Sequence, residues 1–438
     1  MKNIKNFLLQ LMVLGGLFSC EGFLEEKPQK SILVPNTLED VRALLDNYTT
    51  LNENALMDFI LADDWVTTTA NWESLNPWEQ NSYLWKSLVF EPTERSTDYS
   101  KFYRKIFTAN VSLQALESLG PGTEVQSLKG EALFVRSMAY FQLAQLFLPS
   151  PKSGKDEIKI PVKLSPEVNL KAQWWSAMEV IQQVEMDLLE SFELMPLNSQ
   201  FKNRPNKKVA KAALARLYLY TEQWDKALEA ANYVLEKESK NLLDYNLLDK
   251  NKAYPFTLFN GEVLYYGVTS SFSVTASSAT FVNPNLTAKY APTDLRKALF
   301  FTNSAQGSLF KGSYNGDYNL FTGIAIPEMY LTASEALIRK GNTQAGIAAL
   351  TDLAKKRYQN MKDWEVELKK NPLALVLEER QKEQVFRGTR WMDIKRLIAL
   401  GEFGNLPTRV IAGKNYNLSE LKDQVVVLPS YEVELENR

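Results

Sequence analysis

The stretch 213–236, ALARLYLYTEQWDKALEAANYVLE, decides the fold class of this chain. Leu214, Ala215 and Tyr218, followed by Ala227 and Ala231, have the spacing of positions at which two antiparallel helices touch. The small side chains of Ala227 and Ala231 let the paired helix approach closely. The stretch therefore predicts a helix pair whose second helix opens at Trp224.

A second stretch, residues 329–358 (MYLTASEALIRKGNTQAGIAALTDLAKKRY), has the same organisation. Gly341 and Asn342 form the turn, and Gly346 occupies the position of close approach. Both stretches have the spacing of tetratricopeptide repeats, but far more than 34 residues separate them. They are therefore not a tandem array, and something is inserted between them.

Three further stretches predict long helices. In 96–122, apolar side chains recur at three- and four-residue steps until Gly120–Gly122 ends the helix. The stretch 127–149 is apolar on nearly every side and predicts a buried helix, and 174–196 predicts another. Trp174 and Trp175 are expected to start that helix as packing residues.

The insertion, residues 240–322, differs in composition. It is rich in Ser, Thr, Asn, Gly and aromatic residues with short alternation, which predicts short strands and long loops. Long loops on a rigid scaffold are where binding sites usually lie. The expected fold is mostly α, with helix pairs forming a scaffold for this irregular part.

Composition excludes several classes of function. The 438 residues contain no histidine, so Ser-His-Asp triads, Cys-His dyads and imidazole metal sites are absent. The formal net charge of −2 argues against nucleic acid as a partner, because phosphate binding needs a concentrated basic face. No segment specifies a metal or cofactor site.

The only cysteine, Cys20, follows a leader. Lys2 and Lys5 precede an apolar run over 7–18, and Ser19 stands directly before Cys20, which is the layout of a secretory signal peptide over residues 1–19. The run is too short to span a bilayer. The sequence LFSC also resembles a bacterial lipobox, in which the thiol is acylated and the cysteine becomes the new N-terminus. The alternative is an ordinary thiol.

The charged segment 377–401 (LEERQKEQVFRGTRWMDIKRLIALG) completes a resemblance to a known family. Together with GEALFVRSMAYFQLAQLF, DLRKALFF, PEMYLTASEALIRKGN and the two helix pairs, it is similar to the RagB/SusD family of outer-membrane nutrient-uptake lipoproteins. The resemblance runs in order over nearly the whole chain. It implies one domain over 20–438, with four tetratricopeptide-like helix pairs and a less regular ligand-binding part.

The resemblance also implies a function. Such proteins are not enzymes and use no cofactor. They form a lid over a TonB-dependent barrel of the SusC type, capture oligosaccharide or another nutrient, and pass it to the barrel. Anchoring in the outer membrane through lipidated Cys20 is implied, and Glu21, Glu25 and Glu26 agree with display on the outer face.

The acidic residues of the charged segment offer two interpretations. Glu379 and Glu383 share a helix face, and a glycoside hydrolase needs two carboxyl groups across the scissile bond. Interleaved arginines such as Arg390 and Arg396 would instead hold the acids ionised and paired. We expect a structural ion-pair network joining the last helices, and similarly a capping Asp294 with a surface or inter-segment ion pair to Arg296.

The candidate ligand-binding residues come from two places. Trp72 and Trp78 lie in a polar, Pro-interrupted segment and are expected to be exposed for stacking on sugar, with Asn71 and Asp64 as hydroxyl partners, whereas Trp85 is expected in the core. The loop GSYNGDYN contributes a second group of candidates, which are Tyr314, Asn315 and Tyr318. Core packing for the tryptophans and a plain loop for the tyrosines are the alternatives.

Three functions are therefore compared. The favoured one is a surface-anchored glycan-binding lid. The others are a helical-repeat scaffold that binds only protein and a secreted glycoside hydrolase, and fold alone does not choose among them.

The lipidation of Cys20 gives the first prediction. Cys20→Ala is expected to remove the protein from the outer-membrane fraction, because the group that carries the acyl chains is lost. Fractionation after labelling with a fatty acid measures this, with Ser19→Ala as the control that keeps the thiol. Lipid label on the Cys20→Ala protein would contradict the assignment.

Overall fold

The computed structural model describes residues 35–167 and 169–437. The predicted signal peptide and Cys20 lie outside these residues. The helices are α1 Leu38–Leu45, α2 Tyr48–Leu51, α3 Met57–Leu61, α4 Thr69–Glu73, α5 Pro77–Tyr83, α6 Thr97–Ser118, α7 Thr123–Phe147, α8 Ala177–Leu194, α9 Lys207–Tyr220, α10 Trp224–Glu238, α11 Pro284–Thr287, α12 Leu295–Phe300, α13 Ile326–Arg339, α14 Thr343–Ala354, α15 Met361–Glu367, α16 Pro372–Glu383, α17 Arg390–Ala399 and α18 Ser430–Asn437.

The strands are short and form antiparallel pairs. They are β1 Trp65–Thr67, β2 Ile160–Val162, β3 Gln173–Trp175, β4 Val263–Tyr265, β5 Val268–Thr269, β6 Thr280–Val282, β7 Phe301–Asn303, β8 Ser308–Phe310, β9 Leu320–Phe321, β10 Ile324–Ala325, β11 Thr408–Ile411 and β12 Lys414–Asn417. The pairs are β1–β6, β2–β3, β4–β10, β5–β9, β7–β8 and β11–β12. The prediction of a mostly α fold with short strands in the irregular part is confirmed.

The long helices pack side by side in a layer. Helices α6 to α10 contact one another in succession, α10 contacts α13, and α13 contacts α14 and α16. Ala227 and Ala231 on α10 are fully buried against this layer. At Gly346 on α14, a Cβ atom would lie 2.8 Å from the carbonyl oxygen of Ser334 on α13. Both predicted helix pairs are confirmed, and their small residues stand at the close contacts.

The contact between α10 and α13 explains the missing tandem repeat. These helices are neighbours in space although residues 239–325 separate them in the chain. The intervening segment leaves the layer after Glu238 and returns at Ile326. It contains β4 to β10, two short α-helices and two 3₁₀-helices, and its short strands are as its composition predicted.

A second core lies under the loops. It joins side chains from 56–84 with others from 245–321, among them Trp65, Tyr83, Phe256 and Phe300. Strand β1 pairs with β6, so that Trp65 stands opposite Val282. The tryptophan-containing segment, residues 63–85, therefore belongs to the same loop-rich part as the insertion.

The structure corrects the prediction for one pair of tryptophans and confirms it for two others. Trp174 and Trp175 do not start a helix but lie in β3, because Ser176 and Glu179 form a capping box that begins α8 at Ala177. Trp224 does open α10, and Trp85 is fully buried in the core, both as predicted.

A buried ion-pair network connects the helical layer to the loop-rich part. On α16, the Glu379 carboxylate accepts from the Arg296 guanidinium at 2.7 Å, and Glu383 accepts from Arg296 at 3.1 Å. Arg357 donates to Glu383 at 2.9 Å and to Glu262 at 2.8 Å. Apart from Glu379, which is 2% exposed, these side chains have no exposed surface. Each of these charged groups therefore bonds to a group of opposite charge instead of to water.

The same kind of pairing joins the last helices. Arg380 on α16 donates to Asp393 on α17 at 2.8 Å, and Arg396 on α17 donates to Glu335 on α13 at 2.6 Å. Asp294 caps α12 by accepting from the Arg296 backbone N–H and also pairs with the Arg296 side chain. The ion-pair interpretation of the charged segment is confirmed, with these pairs buried.

Glu383→Ala is predicted to destabilise the fold by about 3–5 kcal/mol, because two buried arginines lose a partner. Urea unfolding measures this. The matched control is Glu378→Ala on the same helix, whose partly exposed carboxylate pairs with Lys370, and it is expected to cost less than about 1 kcal/mol. Equal unfolding midpoints for the two variants would contradict the prediction.

Candidate functional site

The insertion and the tryptophan-containing segment meet at one surface. The Ser277 hydroxyl donates to the Asn71 side-chain oxygen at 3.0 Å, and the Asn71 amide donates to the Thr67 hydroxyl at 2.8 Å. Nearby, the Ser273 hydroxyl donates to the Glu79 carboxylate at 3.5 Å. These bonds hold the loop 271–279 against α4 and α5.

A surface cavity of about 230 Å³ opens beside this loop. Its floor is apolar, its wall carries hydroxyl groups, and two tyrosines stand at its edge. The lining residues are Tyr254, Thr275, Ala276, Ser277, Ser278, Thr280, Leu309, Phe310, Lys311, Ser313, Asp317, Tyr318, Leu320 and Phe386. Several of these hydroxyls already donate within the protein, as Thr275 and Ser277 do, but a hydroxyl oxygen can also accept a hydrogen bond, so this lining suits a ligand whose hydroxyl groups donate.

The edge of the cavity presents exposed aromatic rings. Tyr318 is 44% exposed and Tyr254 is 37% exposed. Phe272, at 83% exposure, lies with its ring centroid 5.9 Å from that of Tyr318 and at an interplanar angle of 38°. Large apolar side chains that cluster in water often mark interaction sites, so this group is a candidate binding surface. The exposure predicted for Tyr318 is confirmed.

The loop that carries Tyr318 is held by its own polar groups. The Ser313 hydroxyl accepts from the backbone N–H groups of Asn315 and Phe321, at 3.2 and 3.1 Å. Asp317 accepts from the Asn319 backbone N–H at 2.8 Å. Gly316 has φ +74°, a left-handed turn conformation that favours glycine. The loop is therefore a preformed turn.

Tyr314 anchors this loop and is not exposed, which corrects the expectation from the sequence. It is 1% exposed, and its hydroxyl donates to Glu262 and lies 2.7 Å from the Tyr245 hydroxyl. The Arg387 guanidinium lies 3.8 Å from the ring centroid. Because Glu262 also binds Arg357, Tyr314 joins the loop to the buried ion-pair network.

Asn315 and Asp64 are also buried rather than available to a ligand. Asn315 is 7% exposed, and its amide donates to the Asn319 backbone oxygen at 3.2 Å. Asp64 is 2% exposed and accepts from the Gln381 amide at 3.2 Å, because α16 covers it. Burial, together with the neighbouring Asp63 carboxylate, raises the pKa of Asp64 to about 7.

Trp72 and Trp78 are half-buried. The Trp72 indole N–H donates to the Gln80 backbone oxygen at 3.2 Å, and its ring packs against the second core. Trp78 lies 6.5 Å from Phe90, centroid to centroid, in a stacked arrangement. Neither ring lines the cavity, whereas Asn71 reaches it through Ser277.

Sequence reasoning missed Phe272, Tyr254 and the cavity hydroxyls. Phe272 is the one large apolar residue in the polar run TSSFS over 269–273, which is a signal for an exposed ring. Tyr254 had no such signal, because only the folded loops bring it to the edge of the cavity.

The charged segment has no catalytic geometry. Burial would raise the pKa of Glu379, but the Arg296 and Lys382 charges outweigh burial and lower it to about 2. A carboxyl group held ionised in this way cannot act as a general acid near neutral pH.

The described residues also place no three or more acidic or cysteine side chains together in a metal-binding group, and no described helix is long and apolar enough to cross a membrane.

The raised pKa of Asp64 gives a pH-dependent prediction. A carboxyl group whose pKa is raised in the folded state stabilises the fold most below its ordinary pKa near 4. That stabilisation is lost as the pH rises through the folded-state pKa of about 7. Asp64→Asn keeps a neutral group at every pH. We expect it to be more stable than the unsubstituted protein at pH 8 by about 2 kcal/mol, with the difference shrinking toward pH 5.

Unfolding in urea at pH 5 and pH 8 measures this difference. Asp63→Asn is the control, because the Asp63 carboxylate is paired with Arg390 at 2.6 Å and its pKa is lowered. That variant is expected to lose stability at pH 8. A loss for Asp64→Asn at pH 8 would show that the Asp64 carboxylate is ionised and needed.

Comparisons with known proteins bear on the fold. Residues 22–219 match a family model described as SusD-like, "Starch-binding associating with outer membrane". No curated protein matches the chain. A SusD superfamily protein from Bacteroides thetaiotaomicron VPI-5482 has 19% identity and a TM-score of 0.72, and the match covers 91% of this chain and 98% of that one.

Two further solved structures are similar. One is a putative sugar binding protein from Bacteroides vulgatus ATCC 8482, with 19% identity, a TM-score of 0.73, and coverage of 92% of this chain and 98% of that one. The other is a laminarin binding SusD-like protein, with 18% identity, a TM-score of 0.62, and coverage of 91% and 96%. Residues 22–219 are thus similar to the SusD-like family model, and the fold of the chain is similar along its length to that of these solved structures.

Proposed function

We propose that this protein is a cell-surface lipoprotein that binds oligosaccharide and delivers it to a SusC-like TonB-dependent transporter in the outer membrane. The observation that carries the binding part is the pair of exposed rings, Tyr318 and Phe272, beside a cavity walled by hydroxyl groups. The flat CH faces of a sugar stack on such rings while its hydroxyls bond to the wall.

The size of the cavity indicates how a chain of sugars would lie. At about 230 Å³ it is smaller than most small-molecule pockets. It suits one sugar unit, and the units on either side would rest on Tyr318, Phe272 and Tyr254. The proposal therefore favours an oligosaccharide over a free monosaccharide.

The charges around the cavity favour a neutral sugar. The Lys311 ammonium already donates to the Lys250 backbone oxygen at 2.6 Å, and both Asp317 oxygens accept from Asn319. Lys311 and Asp317 also carry opposite charges, and both line the cavity, so the cavity favours neither an anionic nor a cationic ligand. Starch and laminarin, the polymers named for relatives, are both neutral glucans.

The same geometry favours binding over hydrolysis. Asp317 is the only carboxylate among the residues that line the cavity, and glycoside hydrolysis needs two. Relatives described as binding proteins agree with this. A protein-binding scaffold and a secreted hydrolase remain the alternatives, and the following titration separates all three.

Tyr318→Ala is predicted to weaken binding of maltoheptaose or laminariheptaose about 5- to 30-fold, because one stacking ring contributes about 1–2 kcal/mol. Calorimetric titration measures the affinity, and chromatography of the sugar afterwards tests for hydrolysis. The melting temperature should hardly change, since the ring is exposed. Tyr48→Ala, at a comparably exposed tyrosine outside the cavity, is the control.

Unchanged affinity in Tyr318→Ala would reject this site, and release of shorter sugars would favour the hydrolase. We further propose that the half-buried Trp72 and Trp78 rings, which lie outside the cavity, extend the binding surface beyond it, and Trp72→Ala and Trp78→Ala in the same titration test this. Co-purification of a TonB-dependent barrel with the tagged, membrane-anchored protein tests the delivery role, and a SusC-like protein is the expected partner.

A further inference from the structure

The β2–β3 hairpin builds a second cavity far along the chain from the first. Trp175 pairs with Ile160, and Gln173 pairs with Val162. The described residues of the connection, 163–167 and 169–172, arch over a space of about 250 Å³. Its lining includes Lys163, Leu164, Leu170, Lys171, Gln173 and Trp175, none of which lines the first cavity.

The cavity combines an aromatic wall with polar partners. The Trp175 indole N–H donates to the Gln173 side-chain oxygen at 3.1 Å, while the ring packs on the helical core. Leu164 and Leu170 are 41% and 51% exposed. Successive side chains of a strand point to opposite faces, so Trp174 is directed away from this cavity and does not line it.

A buried polar network holds the start of the connection in place. The Tyr140 hydroxyl bonds to both the backbone N–H and the backbone oxygen of Lys163, each at 2.8 Å. The Asn110 amide donates to the Lys163 backbone oxygen at 2.9 Å, and its own oxygen accepts from Arg136. Arg136 is in turn paired with Asp187 at 2.8 Å. These buried groups fix the Lys163 end of the connection, so this part of the cavity is ordered before a ligand binds, which lowers the entropy cost of binding.

The charges at this cavity are balanced. Lys163 pairs with Glu436 at 2.7 Å, and Lys171 has Glu167 on the same lining. An ionised ligand would therefore meet as much repulsion as attraction. A neutral ligand with an apolar face and several hydroxyl groups fits the ring, the leucines and the Gln173 amide together.

We propose that this cavity is a second carbohydrate-binding site, which takes a neutral sugar unit against the Trp175 ring. The site goes beyond the one at Tyr318, because it uses other elements and does not need that site to be occupied. Two separated contacts on one protein raise the affinity for a long chain that can reach both.

The test follows the tryptophan indole N–H resonances by NMR, with maltoheptaose, laminariheptaose and xylohexaose as probes. The resonance missing from Trp175→Phe identifies Trp175, and the one missing from Trp174→Phe identifies its neighbour. We expect at least one probe to shift the Trp175 resonance and to leave the Trp174 resonance in place. The shift should persist in Tyr318→Ala, which disables the first site.

Affinity measurements complete the test. Trp175→Ala should weaken the Tyr318-independent binding about 5- to 30-fold, whereas Trp174→Ala should leave it unchanged. Gln173 is exposed, so Gln173→Ala should fold normally. This variant should also weaken the Tyr318-independent binding. If no probe shifts the Trp175 resonance, or if the shift disappears in Tyr318→Ala, the second site is rejected. Failure of the first site alone would instead show as unchanged affinity in Tyr318→Ala.

Discussion

Arg296 and Arg357 stand between the helical layer and the loops, and the arrangement of both parts depends on them. Each guanidinium binds carboxylates from different segments, and none of these arginine side chains reaches water. Buried charges are costly unless every one is matched, so such a network adds little net stability when intact but imposes a large penalty on any arrangement that breaks it. It therefore selects one way of placing the loops on the helices.

The binding surface inherits its order from this network. Tyr314 bonds to Glu262, Glu262 bonds to Arg357, and Arg357 bonds to Glu383 on α16. The turn that carries Tyr318 is thus connected to a helix through three buried contacts. The Tyr318 ring, which we propose stacks on sugar, is therefore held on an ordered turn before a ligand arrives, which saves part of the entropy cost of binding.

Local pattern was enough to predict the long helices and their close contacts, although the capping box of Ser176 and Glu179 begins α8 at Ala177 instead of at the preceding tryptophans. Ala227, Ala231 and Gly346 are informative because close helix packing admits few other residue types at these positions. The burial of Tyr314 could not be predicted, since its partner Glu262 lies 52 positions away in the sequence. The burial of Asp64 could not be predicted for a similar reason, because Gln381 on α16, which contacts it, lies 317 positions away in the sequence. The polar run around Phe272 offers a sequence signal for its exposure, whereas the place of Tyr254 at the edge of the cavity depends on the folded loops.

The direct contact between α10 and α13 has a consequence for how such a protein can change. Since the two helices pack together, the segment 239–325 is an insertion between two neighbouring helices of the layer. It could be exchanged as one unit, and we call it the cassette. A different cassette could present different rings to a different sugar without altering the helices that display it. The freedom has a limit, because Glu262 and Arg296 belong to the cassette while Arg357, Glu379 and Glu383 do not. An exchanged segment would have to supply its own acid and its own arginine at those two places, because the buried Arg357, Glu379 and Glu383 would otherwise lose their partners.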